Sequence, residues 1–118
     1  MVSGGTGGLG LLTARLLVEH GARQLILTSR RDRVLVGSEG DWERLASCEG
    51  VVHRIRCDAA DHRSMCGVIQ GLHGSGLRLS GIFHAAHALS DAALADLVGV
   101  RFRSTYGPKV HGATSLHA

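Results

Sequence analysis

Apolar positions along the chain switch between two periods. Short continuous apolar runs read as strands covered on both faces, and three–four spacings read as helices with one buried side. Met1–Val2 begins a strand. Beyond a glycine-rich stretch, Leu9, Leu12, Leu16 and Leu17 recur at helical spacing, with Leu11, Ala14 and Val18 thickening the stripe, and Gly21 stops this helix. Leu25-Ile26-Leu27 predicts a buried strand. Residues 31–50 are polar and glycine-containing, with one short helix expected over Asp41–Ser47 and Trp42 and Leu45 on its buried side. A third strand is expected over Val51–Cys57. Asp61 stands where it can cap a helix over His62–Leu72, in which Met65, Val68, Ile69 and Leu72 share a face. Leu79–Ala86 predicts a fourth strand centred on Ile82-Phe83. Helical patterning returns over Asp91–Leu97 and again over Arg101–Leu116, where Pro108 kinks or restarts the helix.

Strands that alternate with helices imply crossover connections, hence a parallel sheet with helices on both faces. The expected fold class is therefore α/β, a Rossmann-like doubly wound sheet. The 118 residues suffice for one small core and not for two. No repeat, low-complexity tract or linker divides them.

Composition changes this picture little. Apolar residues make up 44% and charged residues 19%, a globular balance. No apolar run approaches the ~20 residues of a membrane span, and no leader pattern argues for secretion. The net charge of +3 comes from twelve scattered arginines and one lysine, with aromatics at only 3%. Neither a basic stripe nor a stacking platform for nucleic acid results. Cys48, Cys57 and Cys66 lie nine apart and form no C-x-x-C, which predicts reduced thiols and a cytoplasmic setting. Of the eight histidines, His84 and His87 are close together but have no carboxylate or cysteine at ligand spacing, so no metal is expected.

The informative excess is glycine, 17 residues. Five of them crowd into the seven positions from Gly4 to Gly10, a large entropic cost for a plain turn. Gly5-x-Gly7-x-x-Gly10 and Gly4-x-x-x-Gly8-x-Gly10 are both dinucleotide-loop patterns. The loop follows a strand and opens an amphipathic helix, the context in which backbone N–H groups meet a pyrophosphate. A site for NAD usually places an acid on the ribose ~20 residues past this loop. Here the second strand ends in Thr28-Ser29-Arg30-Arg31. A guanidinium fork at that point suits a 2′-phosphate, so NADP is expected rather than NAD, with Arg30 the better candidate and Arg31 a solvated loop charge.

Ser3-Gly4-Gly5-Thr6-Gly7-Gly8-Leu9-Gly10, Ser29-Arg30, Cys57-Asp58 and His84-Ala85-Ala86 together resemble the ketoreductase domains of modular polyketide synthases and animal-type fatty acid synthases, in the short-chain dehydrogenase/reductase superfamily. The resemblance runs through the whole chain to Pro108-Lys109-Val110-His111-Gly112-Ala113. It implies that residues 1–118 are part of a ketoreductase domain, its N-terminal, NADP-binding half, with about four strands and flanking helices. Gly4, Gly5, Thr6, Gly7, Gly8, Leu9 and Gly10 would hold the pyrophosphate of NADPH. Ser29 and Arg30 would take its 2′-phosphate, Asp58 and Ala59 would face the adenine, and His84, Ala85 and Ala86 would lie against the ribose near the nicotinamide. Lys109 matches the active-site lysine.

The family reduces β-ketoacyl thioesters, carried on an acyl carrier domain within a multidomain synthase, to β-hydroxyacyl thioesters. Its catalytic serine and tyrosine have no counterpart here. The lone tyrosine, Tyr106, stands three residues before Lys109 rather than four, so it misses the shared helical face. His87 stands where the family usually has glycine, close to where backbone passes the cofactor. Leu89-Ser90-Asp91 keeps only the final acid of the Leu-Asp-Asp found in one stereochemical class. The resulting expectation is a cofactor-binding half-domain, marginally stable with an apolar strand edge exposed and catalytically silent alone. A non-catalytic structural or nucleotide-binding subdomain is the alternative, though such subdomains typically lack an intact glycine loop.

Overall fold

The computed structural model describes residues 1–31, 33–48 and 51–117. Four parallel strands, β1 (Val2–Ser3), β2 (Gln24–Ser29), β3 (Val51–Arg56) and β4 (Phe83–His84), form one sheet in the order β3-β2-β1-β4. The register sets Val2 beside Leu27 on one side and beside Phe83 on the other. Strand periodicity then sorts side chains by face. Val2, Leu25 and Leu27 point to a cluster completed by Leu11, Ala14 and Leu45 from helices α1 (Gly8–Glu19) and α2 (Glu39–Ala46). Met1 and Ile26 point the other way, to Cys57, Ala59, Met65 and Leu72, under helix α3 (His62–Gly74) and with Leu116 of helix α5 (Gly112–His117) packed alongside. The doubly wound α/β architecture is thus present, with Leu25 to Thr28 buried along the centre of β2.

The helices form for local reasons. Asp61 has extended backbone, and its carboxylate accepts the Arg63 N–H at 3.1 Å, capping α3 as its position predicts. Replacing it by Ala should cost about 1 kcal/mol of stability, read as a lower urea midpoint with unchanged m-value. Helix α2 carries Glu39 and Asp41 in its first turn and Arg44 in its last, complementing its dipole. Arg15 of α1 reaches Asp41 at 3.1 Å and ties the two helices together.

Three expectations are corrected. The buried face of α1 is Gly10, Leu11 and Ala14, while Leu9, Leu12 and Leu16 are 60%, 38% and 45% exposed. Of the stripe expected from spacing, Leu11, Ala14, Leu17 and Val18 pack inward, and Leu9, Leu12 and Leu16 lie outside. The fourth strand is two residues long rather than eight, because its partner in the sheet, β1, offers a ladder of only Val2 and Ser3. Asp91–Leu97 yields a single 3-10 turn, Leu94–Asp96. The last segment is α4 (Gly99–Tyr106), a π turn (Gly107–His111) and α5. Pro108 lacks an N–H for the helix ladder, and the wider π turn accommodates it in place of a break.

Candidate functional site

In an open parallel sheet the carboxyl ends of the strands face a crevice where the strand order reverses. Here that point lies between β1 and β4, and a groove of about 510 Å³ opens there. The loop after β1 forms its floor. Gly4 and Gly5 N–H groups both donate to the Thr28 carbonyl, at 2.8 and 3.0 Å, which turns the chain sharply off the sheet. Gly4 has φ +74°, and a Cβ there would sit 2.6 Å from the Ala86 backbone. A Cβ on Gly10 would lie 2.8 Å from Gly5 Cα and collide with the Gly4 carbonyl oxygen. These glycines close the loop against its own helix and against the segment after β4.

Gly7 and Gly8 are different. Nothing stands nearer than 3.4 Å to a Cβ at Gly7 or 3.6 Å at Gly8, and both line the groove. No side chain caps α1, and its first turn carries no acid. Its leading N–H groups are therefore left for an anion, which is the donor set a pyrophosphate requires.

Gly4, Thr6, Gly7, Gly8, Leu9 and Gly10 line the groove, with Ser29 and Arg30 from the end of β2. Asp58 and Ala59 after β3 and Ala85 and Ala86 after β4 line it too. Asp58 Oδ1 accepts the Ala60 N–H at 3.0 Å, which holds the Asp58-Ala59-Ala60 turn. Ser29 Oγ donates to the Arg31 carbonyl, fixing the start of the arginine segment. Gly5 lies beneath the lining, packed against Leu27 and Val2.

His84 turns away from the groove lining. Its Nε2–H donates to the Pro108 carbonyl at 2.7 Å, its Nδ1 is buried without a partner, and its ring packs on Gly112. It joins the end of β4 to the π turn. Pro108 itself reaches the groove wall, whereas Lys109, next in the chain, is exposed and outside the lining.

Several lining residues escaped the motifs. Arg31, Arg33 and the apolar run Val34-Leu35-Val36 form one wall, held by a Leu35 N–H bond to the Thr6 carbonyl at 3.0 Å. The signal available was the dense arginine run directly after β2. His87, Ala88 and Leu89 form the opposite rim, so the bulky residue after Ala86 does stand in the groove wall. Among the described residues, no three His, Cys, Asp or Glu side chains converge as metal ligands, and no helix is long and apolar enough to cross a membrane.

A family model described as KR domain matches residues 1–118. Naringenin synthase of Pestalotiopsis fici is 34% identical over 119 residues, covering 99% of this chain and 4% of that protein. Erythronolide synthase EryA2 of Saccharopolyspora erythraea is 34% identical over 118 residues, covering 99% of this chain and 3% of its own length. Among solved structures, a ketoreductase domain from the bacillaene assembly line superposes with a TM-score of 0.86 at 26% identity, over 98% of this chain and 28% of that one. An A-type ketoreductase from a modular polyketide synthase gives 0.84 at 35% identity, over 98% and 24%. The chain therefore spans a small share of the proteins it matches.

Proposed function

The chain belongs to the ketoreductase (KR) domain family of the short-chain dehydrogenase/reductase superfamily, and on that premise we propose that its groove binds NADPH as the nucleotide-binding half of a β-ketoacyl reductase. The observation that carries this reading is convergence. The glycine loop, Arg30, Asp58-Ala59 and Ala85-Ala86 come from the ends of four different strands and meet on one groove.

When bound, NADPH supplies the hydride that reduces the ketone. The chain's own residues do the holding. Backbone N–H groups of α1 from Gly8 onward neutralise the pyrophosphate, as a helix N-terminus does for anions, the Gly7 N–H being taken by the Gly4 carbonyl. Arg30 pairs with the 2′-phosphate through a planar fork, selecting NADPH over NADH. Asp58 and Ala59 border the adenine, and Ala85 and Ala86 present a small, flat wall to the ribose. Lys109, next in the chain to the groove-wall Pro108, is the residue assigned to orient the nicotinamide ribose. The substrate is a β-ketoacyl thioester presented by an acyl carrier domain. Its curated relatives are multidomain synthases, of which the chain spans 2–5%.

Protonation of the developing alkoxide needs an acid on the Lys109 face. Tyr106 is exposed and ends α4 one residue too close to Lys109 in sequence. The 118-residue chain is accordingly expected to bind NADPH without turning over. Titration of the folded chain with NADPH, followed by nicotinamide fluorescence, should saturate, and a β-ketoacyl thioester assay should stay at background. A folded sample blind to NADPH overturns the cofactor assignment. Turnover at the level of a complete ketoreductase overturns the division of labour.

A further inference from the structure

Beside the main groove lies a second recess of about 300 Å³, lined by Arg30, Arg56, Cys57, Asp58 and Ser64. Arg30, Cys57 and Asp58 line both spaces, so the recess opens off the groove at the ends of β2 and β3. The ends of β2 and β3 run side by side beneath it. Ser29 pairs with Arg56 across the β2–β3 ladder, and the Cys57 N–H donates to the Ser29 carbonyl at 2.9 Å. Arg30 follows the last residue of β2 and Arg56 is the last residue of β3, on neighbouring strands about 4.8 Å apart.

Among the described residues, neither guanidinium group has a salt-bridge partner. Arg54, two residues earlier on the same face of β3, lies 4.7 Å over the Trp42 ring. Among the described residues, Arg56 has no such ring. Among the described residues neither Arg30 nor Arg56 has a carboxylate within 4.0 Å. Asp58, the one acid in the recess, directs Oδ1 to the Ala60 N–H. Two unpaired like charges on one small concavity repel each other, and an anion between them reverses that cost. Ser64, whose hydroxyl donates to Cys57 Sγ at 3.5 Å, completes the lining.

We infer that Arg56 is a second specificity determinant, which with Arg30 clamps the phosphomonoester on the adenosine ribose of the dinucleotide. The inference rests on the NADPH reading above and adds a residue that the glycine and Ser29-Arg30 motifs do not reach. Recognition by the pair is geometric as well as electrostatic, because two planar forks can share three phosphate oxygens.

The test uses the 118-residue chain and its Arg56→Ala, Arg56→Lys and Arg30→Ala variants, each checked for folding by circular dichroism. Ligands are NADPH, NADH, 2′,5′-ADP, 5′-AMP and inorganic phosphate. Arg56→Ala should weaken NADPH and 2′,5′-ADP about tenfold, the size of one lost charge-assisted bond, and leave NADH and 5′-AMP unchanged. Arg56→Lys should recover part of the loss. Equal weakening of NADPH and NADH, or unchanged NADPH affinity in Arg56→Ala while Arg30→Ala loses it, overturns the role of Arg56 and leaves the cofactor reading standing. Inorganic phosphate binding as tightly as 2′,5′-ADP would assign the recess to a free anion and overturn the clamp. A folded parent that binds no nucleotide overturns both.

Discussion

Gly10→Ala should weaken NADPH binding and destabilise the chain together, whereas Gly8→Ala should weaken binding alone. The two glycines stand two residues apart in the first turn of α1, so sequence proximity does not distinguish them. Their neighbours do. A methyl on Gly10 meets backbone only, the Gly4 carbonyl and Gly5 Cα at 2.8 Å, and no flexible side chain is there to move aside. Either α1 lifts off the loop or the loop leaves the sheet, and both movements displace the N–H groups that face the groove. Overpacking of this kind costs about 1–3 kcal/mol. In a small domain that is a large fraction of the total. A methyl on Gly8 meets nothing closer than Ser38 Oγ at 3.6 Å. Inside a helix the exchange of Gly for Ala stabilises by about 0.5–1 kcal/mol. That methyl, however, sits on the groove lining where the pyrophosphate would approach. Urea unfolding and NADPH titration on both variants separate the effects. The Gly10 variant should show a lower midpoint and an affinity loss of about tenfold or more. The Gly8 variant should show an equal or higher midpoint with a comparable affinity loss. A Gly10→Ala protein as stable as the parent would refute the close packing of loop and helix.

The same loop shows what could be read from residues alone. Features fixed by neighbours a few positions away were legible. The loop with its helix, the Asp61 cap and the Met65, Val68, Ile69, Leu72 face of α3 all depend on i to i+4 relations, and they stand in the fold as read. Features fixed by distant partners were not. Strand β4 is short because of β1, some eighty residues earlier in the chain. His84 reads from its motif as a cofactor-side residue, yet its ring is engaged by Pro108, 24 residues on. The wall of Arg31, Arg33 and Val34-Leu35-Val36 has no periodicity, and the Leu35 bond to Thr6 ties it to the groove. Membership in the ketoreductase family was legible because its glycine loop, arginine and alanine pairs are ordered along one chain. The shared recess of Arg56 and Arg30 was not, since it depends on β2 and β3 ending side by side.

Helix α1 is the instructive intermediate case, and its corrected face carries the second large prediction. The helix holds two apolar stripes, Leu9-Leu12-Leu16 and Leu11-Ala14 with Leu17 and Val18, and periodicity alone cannot rank them. The loop glycine can. The third glycine of a dinucleotide loop exists to bring helix and strand together, so the stripe continuing from Gly10 must be the buried one. Gly10, Leu11 and Ala14 are buried accordingly, with Leu17 and Val18 packed against the same cluster. Leu11→Ala should then cost about 2–5 kcal/mol, because Leu11 is fully buried against a cluster containing Val2, Leu25, Leu27 and Leu45. Loss on that scale approaches the whole stability of a small domain, so the variant should be largely unfolded near body temperature. Leu12→Ala and Leu16→Ala should change stability by no more than about 0.5 kcal/mol, as exposed positions do. Urea or thermal unfolding of the three variants decides the matter. Equal losses at Leu11 and Leu12 would mean that α1 is rotated toward the Leu9-Leu12-Leu16 stripe. That rotation would also carry Gly10 away from Gly4, so it predicts a tolerated Gly10→Ala in the same preparation. The two experiments therefore test one rotation angle from opposite sides, one through a side chain that must be inside and one through a side chain that must be absent.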